Sequence, residues 1–211
     1  MAFTLERFVA VRPFLFHLTA TGNLNRIMDT RVLQPTNDLL TIAGWRAPRT
    51  APRRGPQLVE IDGQTVWIRD QRPLHAGNIA FEEGWDMPRF LALIDSHVFF
   101  WPGKEEGPVK AGINHFKRYA QDRPALIRVP TGALLDANPE LEPLFCRFNS
   151  GAPRASHGRK SPRGSTTYVS EHALDGTVDH VKEALFCGAV KMPLTSQMAS
   201  SYSGPWAQVF R

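Results

Sequence analysis

His17 and Thr19 sit two apart in the apolar run Phe-Leu-Phe-His-Leu-Thr at positions 14–19. Alternate residues of a strand share a face, so an imidazole and a hydroxyl would emerge together. Thr21 and Asn23 flank Gly22, and Leu24, Ile27 and Met28 then recur at helical spacing. Strand-borne polar groups and the free N–H groups of a helix start converge at such a turn, which suits a polar ligand. A histidine in an apolar strand is also commonly a satisfied core or edge residue. The spacing leaves both readings open.

A carboxylate is the second chemical group of interest. Glu183 lies in Val-Lys-Glu-Ala-Leu-Phe, and strand alternation puts it on one face with Leu185 and Cys187. That is a costly place for a carboxylate unless something binds it; an ion pair at a strand edge is the alternative. Arg69, Arg72 and His75 cluster just past a hairpin, either as a functional loop or as a surface ion-pair group. Histidines 75, 97 and 115 are all candidate bases. No Gly-rich phosphate loop, Cys-x-x-Cys, His-Glu-x-x-His or Gly-x-Ser-x-Gly element occurs, so four common enzyme plans lose their support.

The elements that must carry these groups form an α+β pattern without internal repeats. Residues 1–12 read as a frayed start. A strand and a helix follow, the helix ending near Thr30, with an extended link at 32–35 and a second helix from Thr36 to about Gly44. Asp62-Gly63 between alternating runs predicts a hairpin. Asp86 caps a helix over 87–95, and 97–101 is an aromatic strand stopped by Pro102-Gly103. A helix over 108–119, a strand over 125–129 and a helical turn from Thr131 come next. Residues 146–166 form a long loop, 167–169 a brief strand and 181–187 the last strand. The end of the chain, 194–211, has helix and turn character, with Trp206, Val209 and Phe210 docking back on the body.

The 211 residues suffice for one domain, 1–211, with a full core. Hydrophobic residues make up 42% and charged ones 21%, ordinary for a globular chain. No apolar run approaches the roughly 18 residues of a bilayer span, so no membrane partner is expected. Two cysteines, Cys146 and Cys187, are too few for a disulfide framework, which predicts a reducing, cytoplasmic setting.

Net charge is +5, with a pI near 9.6, and it is unevenly distributed. Residues 39–59 contain no acid but hold Arg46, Arg49, Arg53 and Arg54; residues 143–170 contain none but hold Arg147, Arg154, Arg159, Lys160 and Arg163. Arginines interleaved with Pro, Gly and Ser predict mobile basic loops, either solvated or attracting a phosphate backbone. Guanidinium groups fork onto phosphate, which favours nucleic-acid contact by Arg53, Arg54, Arg154, Arg159, Lys160 and Arg163. Trp45 or Tyr168 beside these loops would stack on a base.

His-x-Thr after an aromatic residue, then Asn-Leu opening a helix, resembles the start of the DarT-type nucleic-acid ADP-ribosyltransferases. Positions 69–79, 97–103 and 161–164 also resemble a bacterial family of uncharacterised single-domain proteins. The resemblance implies an ADP-ribosyltransferase-like split β-sheet core with flanking helices. It implies NAD as co-substrate, without a metal, and transfer of ADP-ribose to a DNA or RNA base, single-stranded by preference. Glu183 matches the catalytic glutamate, and Arg72 or Arg69 the arginine on the pyrophosphate. His17 and Thr19 would hold a ribose and the nicotinamide end, with Asn23 buttressing the turn. A bacterial toxin or phage-defence effector with an antitoxin partner is the further implication. Spacing around the second basic loop departs from DarT, which leaves the target open. An NAD-hydrolysing toxin would need no basic loops, and a non-catalytic nucleic-acid-binding module would keep Glu183 as a structural residue.

Overall fold

A computed structural model describes residues 2–210. In place of a frayed start the chain opens on α1 (Leu5–Val11), whose Thr4 cap accepts the Arg7 N–H. Phe8 anchors α1 against Phe145, ring centroids 5.1 Å apart. β1 (Phe14–Ala20) then runs through a 3-10 turn into α2 (Leu24–Thr30), which Arg31 ends in the left-handed conformation at φ 55°. β2 (Val32–Leu33) and α3 (Thr36–Ile42) follow. β3 (Gln57–Ile61) and β4 (Gln64–Ile68) form the hairpin, with Asp62 and Gly63 at φ 52° and 73°. Two central residues at positive φ match the twist of the paired strands, which is why Asp-Gly predicts this turn.

The middle of the chain holds β5 (Ile79–Phe81) and α4 (Met87–Asp95). Asp86 caps α4 by accepting the Arg89 N–H at 2.9 Å. Next are β6 (His97–Lys104), β7 (Gly107–Pro108), α5 (Lys110–Arg118), β8 (Pro124–Pro130) and α6 (Thr131–Asp136). β9 (Leu144–Cys146), β10 (Ser161–Arg163), β11 (Glu183–Cys187), β12 (Val190–Lys191), β13 (Gln197–Ala199) and β14 (Ala207–Gln208) complete the order.

The fold is α+β, built on an antiparallel sheet in the order β14-β13-β8-β1-β6-β11-β9, with β7 hairpinned onto β6. Helices flank it, and Phe8, Leu15, Phe100, Ile127, Val129, Phe145 and Phe186 form its main core. β1 pairs with β8 along its whole length, from Phe14↔Pro130 to Ala20↔Pro124. Its pairing with β6 covers only Phe14↔Gly103, Leu15↔Pro102 and Phe16↔Trp101. Beyond Phe16 the two strands part, and β6 pairs instead with β11, from Ala184↔Phe100 to Cys187↔His97.

Several expectations are corrected by pairing that local sequence does not encode. Pro102-Gly103 does not stop β6, because the Pro102 carbonyl still accepts the Val109 N–H at 2.9 Å. Gly103 is required there, since a Cβ would lie 2.3 Å from the Gly107 carbonyl and 2.6 Å from the Phe16 ring. The 146–166 loop contains β10, which pairs parallel to β5. Glu82 holds the residues after it, accepting the Ser165 N–H and hydroxyl at 2.8 and 2.7 Å. Residues 167–169 make only a single bridge, Phe145↔Val169. The C-terminal part forms β13 and β14 rather than a helix, while Val209 and Phe210 do dock, at 4% and 8% exposure.

Candidate functional site

Where β1 and β6 part, a cavity of about 270 Å³ opens. Its lining includes His17, Thr19 and Asn23 from β1 and the turn after it, Arg69 and His115, and Ser150 and Glu183. The imidazole near the start of the chain and the carboxylate near its end therefore face one space, although neither local pattern contains the other.

His17 spans the gap between the diverging strands: its Nδ1–H donates to the Phe99 carbonyl at 2.9 Å. Burial, against that hydrogen bond and aided by the Arg69 charge, holds its pKa down to about 4. A neutral ring with Nδ1 committed leaves Nε2 as a hydrogen-bond acceptor. Thr19 Oγ1 accepts from Asn23 Nδ2 at 3.1 Å. The Asn23 amide also donates to the Trp67 carbonyl at 2.9 Å and accepts the Trp67 N–H at 2.8 Å. It thus mimics a paired strand residue and ties the β3–β4 hairpin to the turn after β1.

Arg69, just past β4, stacks its guanidinium over the Tyr119 ring at 4.6 Å. Its Nη1 lies 3.4 Å from His115 Nε2. Among the described residues no carboxylate comes within ion-pair distance of Arg69. A partly buried guanidinium without a paired acid is costly and invites an anion. Burial, then Arg69 and Arg118, push the His115 pKa down to about 3, so its ring is neutral. The Tyr119 hydroxyl donates to Asp70 at 2.8 Å, which fixes the ring that Arg69 rests on.

Glu183 is 4% exposed, and both its oxygens accept the Ser150 N–H, at 3.2 and 3.1 Å. Burial pushes its pKa up to about 7, against the Ser150 hydroxyl and N–H and the Arg163 charge, which pull it down. Behind the carboxylate, Arg163 is 1% exposed. It donates to the carbonyls of Asn149 at 3.2 Å and Ser150 at 3.4 Å, and to Ser161 Oγ at 2.7 Å. Its guanidinium stacks on Phe148 at 4.6 Å.

Arg163 is therefore no surface arm, which corrects its assignment to nucleic acid: its fork braces the turn that presents the Ser150 N–H to Glu183. Arg53 is corrected likewise. Its guanidinium forks onto Asp95 at 2.9 and 3.0 Å and donates to the Arg69 carbonyl at 3.0 Å. Arg49 joins Asp95 at 2.6 Å, and Gln71 donates to it at 3.1 Å, so the first basic loop is pinned from inside. Arg54, Arg154, Arg159 and Lys160 are exposed, as is Trp45, whereas Tyr168 is buried. Arg72 does not line the cavity. Its Nε lies 2.6 Å from Asp70, the same acid that fixes Tyr119, so it acts through that pair.

Of the candidate bases, His97 and His115 line the cavity and His75 does not. His97 gives its Nδ1–H to the Leu93 carbonyl at 2.7 Å, and burial lowers its pKa. The sequence reading missed Tyr119, Asp70, Ser150 and Asp95. Asp95 closes a predicted helix, but nothing near it in the sequence points to Arg49 and Arg53, which reach it from more than forty positions away. Among the described residues no group of three or more His, Cys, Asp or Glu side chains is placed to hold a metal ion. Nor is any described helix long and apolar enough to cross a membrane. Both cysteines are free thiols, Cys146 buried and Cys187 exposed.

No curated protein and no solved structure matches the chain. Over residues 13–192 it matches the family described as a family of unknown function, DUF7002, and it belongs to that family.

Proposed function

We propose that the protein is an NAD-dependent ADP-ribosyltransferase with a nucleic-acid base as acceptor. One observation carries the proposal: His17 of β1 and Glu183 of β11 line a single cavity where the sheet splits, with an acid-free Arg69 in its wall. Perturbed titratable groups converging in one cleft are the mark of a reactive site. The split of β1 from β6 agrees with the ADP-ribosyltransferase-like core that the His-x-Thr resemblance implies.

The lining suits a dinucleotide. Trp101 Nε1 and His115 Nδ1 are buried without a partner and line the cavity, so polar contacts remain for a ligand to supply. At about 270 Å³ the space lies just under the roughly 300–1,000 Å³ of small-molecule pockets. It takes the nicotinamide-ribosyl half, with the remainder outside.

Bound NAD would supply an electrophilic ribosyl carbon with nicotinamide as leaving group. The C1′–N bond to nicotinamide breaks, a bond from the acceptor base to C1′ forms, and the base gives up one proton. Ionised Glu183 accepts a hydrogen bond from the ribose 2′-hydroxyl and stabilises positive charge developing at C1′. His17 Nε2 accepts from a ribose hydroxyl, and Arg69 binds phosphate. Depressed pKa values make His97 and His115 weak bases. Glu183, near 7, is the better proton acceptor.

The test is intact mass spectrometry of DNA and RNA oligonucleotides after incubation with protein and NAD, with nicotinamide quantified in parallel. An ADP-ribose adduct that Glu183→Ala does not form supports the proposal; an absence of both adduct and nicotinamide overturns it. NAD hydrolysis is the second reading, favoured by the pairing of Arg53 with Asp95 and the burial of Arg163, which remove two of six expected nucleic-acid contacts. Rapid nicotinamide release without any oligonucleotide would select it.

A further inference from the structure

A second cavity of about 290 Å³ lies between α5 and the 148–163 segment, and it shares His115 and Asn149 with the first. Its remaining lining includes Asn114, Arg118, Phe148 and Arg154, with Arg163 at its base, and it contains no carboxylate. Arg118 and Arg154 are exposed and form no ion pair among the described residues. Phe148 is already covered on one side by the Arg163 guanidinium at 4.6 Å.

Arg118 and Arg154, without a neutralising acid, make a field for phosphate and can fork onto its oxygens, while Arg163 beneath them is committed to the Asn149 and Ser150 carbonyls. A fixed aromatic ring backed by a cation adds a stacking platform for a flat base. Carboxamides at Asn114 and Asn149 offer both donors and acceptors. Phosphate, flat ring and hydrogen-bonding edge occur together in a nucleotide.

We propose that this second cavity is the acceptor subsite, holding one phosphate-bearing nucleotide of a single strand beside the wall formed by His115 and Asn149. The proposal rests on the transferase reading only for what the first cavity does. The strand binds here whether or not NAD is consumed. Arg118 and Arg154 grip the backbone, while Phe148 takes a base of the same strand.

Fluorescence anisotropy of a labelled single-stranded oligonucleotide, without NAD and across a salt series, tests this directly. Arg118→Ala/Arg154→Ala should bind about tenfold more weakly, with a shallower salt dependence. A charge-matched control, Lys104→Ala/Lys191→Ala, should bind as the wild type does. Equal affinity of the arginine variant and the wild type would overturn the assignment, as would an equal loss in the control. A phosphoserine peptide bound as tightly, and lost equally in the arginine variant, would overturn the nucleotide as occupant. If oligonucleotide binding depends on the two arginines but no nicotinamide is ever released, the transferase reading fails and the subsite stands.

Discussion

The backbone N–H of Ser150 donates to both carboxylate oxygens of Glu183, at 3.2 and 3.1 Å. Ser150 belongs to a turn in a segment with little regular structure, and Glu183 opens β11, one strand in from the β9 edge of the sheet. The turn would have no fixed position without Arg163, whose fork holds the Asn149 and Ser150 carbonyls from behind. A buried cation thus sets how a buried acid is hydrogen-bonded.

Replacing Glu183 with Gln separates chemistry from stability. Its folded pKa of about 7 lies above the ordinary carboxylate value, so the folded state holds an extra proton between the two. Stability from this group is complete below the unfolded pKa and is lost as pH rises through about 7. Relative to wild type, Glu183→Gln should gain on the order of 3 kcal/mol between about pH 4.5 and pH 8. Urea unfolding at the two pH values checks this, and nicotinamide release should be abolished at both.

The pH profile of nicotinamide release by the wild type should rise with an acid limb near 7, because Glu183 must be ionised to act. In Arg163→Lys the charge remains but the fork is lost. The Ser150 N–H then drifts from the carboxylate, and the limb should move to higher pH. An unmoved limb would show that Arg163 only supports the fold. Buried hydrogen bonds to a charged group are worth about 1.5–3 kcal/mol each, so the variant should also melt earlier.

Asp95 gathers Arg49, Arg53 and Gln71 around one carboxylate that is 1% exposed. Asp95→Asn leaves two guanidinium groups without their acid and should cost about 3–5 kcal/mol. Limited proteolysis should then cut within 45–56, a segment that the wild type protects.

Arg69 and Arg72 are three residues apart and should behave differently. Arg69→Gln removes the only described arginine that both faces the cavity and lacks an acid, and should weaken NAD binding about tenfold or more. Arg72→Ala, outside the cavity, should leave NAD affinity within about threefold, since the Arg72 guanidinium is 61% exposed and Asp70 keeps its hydrogen bond from Tyr119 without it. Isothermal titration on both variants gives the comparison.

Local chemistry made several elements legible. Asp-Gly at 62–63 fixed a hairpin through positive φ, Asp86 announced α4 through its cap, and the His17 to Leu24 stretch encoded strand, turn and helix. Each depends on residues within a few positions of one another. Alternation also placed Glu183 at the start of β11, and marked it as an acid in an apolar setting.

Long-range pairing decided the rest. No local pattern shows that β1 leaves β6 after Phe16, although that divergence creates the cavity and brings His17 to Glu183. Arg53 and Arg163 looked like mobile basic arms because their stretches lack acids, yet each finds buried partners elsewhere in the fold. The short strands β10, β13 and β14 have too few residues for periodicity to register, and exist because a neighbouring edge accepts their hydrogen bonds. Sequence by itself determined which side chains have the chemistry and which local turns and caps form. Tertiary structure decided which of those groups meet and which are spent on holding the chain together, because burial and partner geometry depend on contacts between distant residues.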